Sequence, residues 1–132
     1  MTSLPRRYWH EMTSPDFAAM DAENVIAILQ VAAVEQHGPH LPVSVDACIN
    51  DGYMKAAVEL MPDDLPATIL PMCWVGKSLE HQQFPGTLTF SAETLRRMWM
   101  EIGDSVYRAG IRKMVFVNSH GGQPQVMDKA ST

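Results

Sequence analysis

Ten consecutive positions from Val25 to Val34, VIAILQVAAV, are apolar except for Gln30, and polar residues bound the run on both sides. The run is far short of the ~18–20 residues that a membrane span needs. It lacks the alternation of a half-exposed strand, so it reads as a strand covered on both faces, the kind found in parallel sheets flanked by helices. The rest of the chain supplies matching elements. Ser14, Pro15 and Asp16 predict a helix start, with Ser14 as N-cap and a short helix to about Ala22. Asp46 opens a helix to about Met61, with Ile49, Tyr53, Ala56 and Leu60 as its apolar side and Pro62 as its stop. ATILP (Ala67 to Pro71) predicts a second strand, followed by a loop from Met72 to Phe90. Ser91 caps a long helix to Ala109, with Leu95, Met98, Trp99, Ile102 and Val106 on one face and Gly110 beyond its end. KMVFVN (Lys113 to Asn118) predicts a third buried strand, ending in SHGG. Strands alternating with helices make this one α/β domain with a mainly parallel sheet.

Composition narrows the function classes. A chain of 132 residues is enough for one domain with a real core. With 46% hydrophobic and 19% charged residues, the chain is not of disordered type. The formal net charge is −5, and the pairs Arg6–Arg7 and Arg96–Arg97 are too short for a nucleic-acid footprint. The opening MTSLPRRYWHEM has no signal-peptide apolar core, so a cytoplasmic protein is expected. Cys48 and Cys73 lie in apolar surroundings and are expected to be buried thiols in a reducing compartment.

In a parallel sheet, ligands bind beyond the carboxyl ends of the strands. Here that rim is rich in metal-type ligands. Glu35 and His37 follow the first strand, and His120 follows the third. If the first strand continues, Glu35 and His37 project to one face. A carboxylate beside an imidazole suits zinc or manganese. Asp46 could return to the same place, and its two oxygens could bridge two ions. Taken alone, the same residues also fit a plainer arrangement: a polar turn, a solvated Glu35 and an Asp46 that only caps its helix. His40, held between Pro39 and Leu41, fits a supporting hydrogen bond better than direct ligation. Competing motifs fail. GKS at Gly76–Ser78 has Pro71 where a phosphate-binding loop needs glycine. There is no G-x-S-x-G, no H-E-x-x-H and no C-x-x-C.

Three segments, EQHGPHLPVSVD, GKSLEHQQFPGTLTF and VNSHGGQ, together resemble the creatininase family of metal-dependent amidohydrolases, in the family's order. YWHEMTSPDFAAM is similar to the family's N-terminal helix. The resemblance covers essentially the whole chain but about the first half of a family domain. It implies a three-layer α/β/α fold, incomplete at the C-terminus, and a homo-oligomer, usually a hexamer. It also implies two divalent ions per complete subunit, zinc or manganese with iron as an alternative. The reaction implied is hydrolysis of a non-peptide C–N bond in a small cyclic amide or formamide by a water held between the ions; some members cleave a modified peptide. Carried over, Glu35 and His120 hold one ion, His37 the other, and Asp46 bridges them. Glu80 and His81 match a segment beside the rim and support the loop or substrate side. Gly122 stands where creatininase proper has a glutamate ligand, and Gln123 where relatives have asparagine. A second reading, of another class, is a non-catalytic metal-binding domain that acts by association.

Overall fold

In the computed structural model, which describes residues 4–131, the apolar run becomes the middle strand of the sheet. The elements are α1 (Ser14–Ala19), β1 (Ile26–Val31), α2 (Val45–Leu60), β2 (Ala67–Ile69), α3 (Ala92–Arg108), β3 (Lys113–Asn118) and α4 (Pro124–Ser131). The strand order is β2-β1-β3, and both pairings are parallel. The chain leaves β1 for one edge and returns to the other, so the switch point lies beside the carboxyl ends of β1 and β3.

Helices cover the two faces of the sheet unequally. Ala27, Leu29 and Val31 of β1 join Leu95, Trp99 and Val106 of α3, Ile111, and Val126 of α4 in the main core. Ser91 caps α3 by accepting from Thr94 N–H, and Gly110, with φ of 96°, ends it in the left-handed region. The other face carries α2, held largely by polar contacts. At the amino-terminal end, Arg7 donates to the carbonyls of Leu65 and Ala67, which ties residues 7 and 8 alongside β2.

Several expectations change. The cap of α1 is Thr13, not Ser14; Thr13 and Asp16 exchange side-chain and backbone bonds in a capping box, and the helix ends at Ala19. The N-cap of α2 is Ser44, so Asp46 lies inside the first turn, free of capping duty. The buried stripe of α2 is Asp46, Ala47, Asn50 and Met54, whereas Ile49, Tyr53 and Leu60 are exposed. That stripe is displaced from the apolar one by about one residue step (~100°), because Asn50 and Asp46 bind the sheet and turn the helix. β3 is not buried throughout. Among the described residues its one strand partner is β1, Val115 is exposed, and α2 meets its carboxyl end through Asn50 and Tyr53. Cys48 is exposed and Cys73 half-buried; neither is in a disulfide. α4 was not expected, although Pro124 at its first position is a helix-start signal.

Candidate metal centre

β1 stops at Val31, so a continuing strand is not what orients Glu35 and His37. The chain folds back instead. Glu35 N–H donates to the Val43 carbonyl at 3.0 Å, His37 pairs with Leu41, and Gly38 takes φ of 79° at the turn. Asp46 arrives from the first turn of α2, its carbonyl accepting from Ser119 Oγ at 2.7 Å. His120 arrives from the end of β3, its backbone held by Asn118, which accepts from His120 N–H and donates to its carbonyl. The four side chains converge. His120 Nδ1 lies 3.2 Å from Glu35 Oε1 and 3.0 Å from Asp46 Oδ2, and His37 Nε2 lies 3.3 Å from Asp46 Oδ1. Glu35, Asp46 and His120 are buried, and their ligand atoms lie within 4.8 Å of one another.

The proton positions follow from the far side of each ring. His120 Nε2 is 2.8 Å from the Lys77 carbonyl. A carbonyl only accepts, so Nε2 carries a hydrogen, and Nδ1 is the nitrogen that faces the two carboxylates. His37 Nδ1 is 3.0 Å from the Glu35 carbonyl, so a hydrogen is there and Nε2 is the nitrogen that faces Asp46. Glu35 Oε2 and Asp46 Oδ2 are buried without a hydrogen-bond partner. Two carboxylates gathered in a buried place repel one another. A cation among them removes that cost, and imidazoles fixed by backbone carbonyls are the usual support of such a site. Asp46 directs one oxygen to His37 and the other to His120, the disposition of a bridging carboxylate. The residues present thus fit a metal centre.

The supporting residues sort differently. His81 Nε2 lies 3.7 Å from Glu35 Oε2, and the exposed Glu80 brings a carboxylate oxygen within 4.8 Å of both. Both therefore border the site. His40 is exposed and is not among the side chains that meet there; the supporting bond expected of it is not seen. Gly122 is closely confined. A Cβ there would come within 2.6 Å of His120 Nε2 and 2.8 Å of the Lys77 carbonyl, so any side chain would press on the bond that orients His120. Gln123 is fully buried and donates to Asn118 Oδ1 at 2.8 Å.

Sequence reasoning missed Asn50. Its Nδ2 reaches the carbonyls of Val31 and Val117 and Ser119 Oγ at 3.0–3.2 Å, and Gln30 Nε2 donates to its Oδ1 at 2.8 Å. The available signal was spacing, since Asn50 stands one helical turn after Asp46. Gln36 and the Lys77 carbonyl carried no signal of their own.

The family model described as Creatininase, creatinine amidohydrolase, matches residues 10–132. A mycofactocin precursor peptide peptidase of Mycolicibacterium smegmatis (strain ATCC 700084 / mc(2)155) is 36% identical over 107 residues, covering 80% of this chain and 43% of the relative. Among solved structures, one titled "Creatininase Mn" superposes with a TM-score of 0.81 at 26% identity, covering 98% of this chain and 50% of that one. A mutant creatininase of "Zn-Zn type" gives a TM-score of 0.80 at 25% identity, covering 99% and 50%. The chain spans about half the length of these relatives.

Proposed function

This chain belongs to the creatininase family, and on that premise we propose that it carries the divalent-metal part of an amidohydrolase site acting on a C–N bond of a small cyclic amide or formamide. One observation carries the reading: two imidazoles, each oriented by a backbone carbonyl, turn their other ring nitrogen toward two buried carboxylates. Glu35, Asp46 and His120 would hold one ion; His37 and the shared Asp46 would hold a second. The mixed nitrogen and oxygen set suits zinc or manganese, the metals in the titles of two related structures, and iron is an alternative. When bound, such ions supply a water of lowered pKa and stabilise negative charge developing on an amide oxygen. The protein's share is orientation: Lys77 and Glu35 carbonyls hold the rings, and Ser119 and Asn50 hold the start of α2. The same reading carries a homo-oligomer and a cytoplasmic setting. The peptidase relative makes a peptide the second substrate class.

Within this chain the two positions are unequal. Glu35, Asp46 and His120 give the first ion three protein ligands, the usual minimum at a catalytic site. His37 and Asp46 give the second two. One tight and one weak ion are therefore expected in a zinc or manganese titration followed by elemental analysis. Asp46→Ala should lose both. Full metal occupancy in that variant, or no uptake by the parent chain, would overturn the reading. Turnover of a formamide and cyclic-amide panel, compared with a chain extended to the length of the relatives, tests the activity itself. Metal uptake without turnover in either form would favour the non-catalytic, association-only alternative.

A further inference from the structure

We propose, resting on the metal-centre reading above, that His81 is a positioning residue that holds an Nε2–H against Glu35 Oε2, and that Gln36 selects the ring tautomer that makes this possible. The chain of hydrogen bonds starts at a backbone amide and runs in one direction only. Gly38 N–H donates to Gln36 Oε1 at 2.9 Å. Turning the Gln36 amide over would set an NH2 group against that N–H, so its oxygen is fixed there. Gln36 Nε2, a donor only, is 2.8 Å from His81 Nδ1. His81 Nδ1 must therefore accept, which places the hydrogen of the neutral ring on Nε2.

That nitrogen lies 3.7 Å from Glu35 Oε2, one of the buried oxygens without a hydrogen-bond partner. The gap is longer than a direct bond and too short to admit a water between the atoms, so the pair tightens only by direct approach. His81 thus has the opposite polarity to His37 and His120. Those two have a hydrogen fixed on the ring nitrogen away from the centre, while His81 has its hydrogen on the nitrogen toward it. A ring nitrogen that carries hydrogen cannot ligate a cation, so the second cluster, Glu35, Glu80 and His81, is not a second metal site of the same kind. The consequence for Glu35 is a division of its oxygens. Oε1 faces His120, and Oε2 faces a donor outside the ligand set. A donor there keeps the carboxylate turned with one oxygen toward the centre.

The tautomer is read directly from the ring 15N shifts of the metal-free chain in alkaline buffer with chelator. His81 should show a hydrogen on Nε2 and a lone pair on Nδ1, and Gln36→Leu should shift it toward a mixture. A hydrogen on Nδ1 in the parent chain would overturn the proposal. Zinc affinity, measured by competition with a chromophoric chelator, tests the consequence. His81→Phe should weaken binding roughly tenfold, and His81→Gln, whose amide nitrogen can stand near the ring Nε2, should recover to within about threefold of the parent. Equal losses in both variants would overturn it. A parent chain that takes up no zinc would overturn the proposed function, and the metal-free spectra separate that result from failure of the tautomer.

Discussion

The two faces of the sheet are held by different chemistry. On one, Ala27, Leu29 and Val31 lie under α3 and α4 in an apolar core, with Trp99 edge-on to Phe116 at 5.3 Å. On the other, α2 is fastened by Asn50, Gln30 and Ser119, which bond to one another and to strand carbonyls. The apolar face draws its stability from area removed from water, which has little directional demand. The polar face gains less net energy per contact but fixes angle and register. Asp46 needs that precision, because it must meet His37 and His120 with different oxygens. The comparison teaches that the polar face, unlike the apolar one, ties stability to the aim of the proposed ligands.

The largest effect should come from the apolar face. Trp99→Ala should cost about 3–5 kcal/mol of stability by denaturant unfolding, while the folded fraction keeps its zinc affinity. A parallel loss of affinity would end the contrast. Asn50→Ala should cost about 1–3 kcal/mol, since buried carbonyls and Gln30 lose their partner. Unlike Trp99→Ala, it should also weaken zinc roughly tenfold, because the first turn of α2 is no longer held. Asp46→Asn should go the other way in chelator, gaining about 1 kcal/mol as one of two neighbouring buried carboxylates is neutralised, while metal uptake is lost. A clear destabilisation would show that the carboxylate is satisfied without metal.

The smallest effect is on reactivity alone. Cys73 packs against the apolar core, and burial pushes its thiol pKa up to about 11. Only about one part in ten thousand of it is thiolate at neutral pH, and that fraction rises as pH approaches the raised pKa. Cys48, exposed on α2, should be alkylated first at neutral pH, with Cys73 following only in alkaline solution or on unfolding. Equal labelling, read by mass spectrometry, would show that the apolar face opens as readily as the polar one.

Where burial alone decided the outcome, the sequence was legible. The run at Val25 to Val34 announced the middle strand, and the spacing of Leu95, Trp99 and Val106 announced the buried side of α3. Glu35, His37, Asp46 and His120 were legible as candidates, because residue type and spacing are local facts, whereas their meeting at one place depends on the fold. The facing of α2 was not, since Ile49, Tyr53 and Leu60 make a convincing apolar stripe that Asn50 overrides through bonds to residues 19 to 69 positions away. Cys48 followed the helix outward for the same reason. The tautomers lay further still from the sequence. His37, His81 and His120 are one residue type, and only the atom on the far side of each ring, a carbonyl of Glu35, the amide of Gln36 or a carbonyl of Lys77, decides whether a hydrogen or a lone pair is fixed there. Residue type sets what a group can do; the direction of a hydrogen bond depends on where two distant pieces of backbone come to rest, which only the folded chain determines.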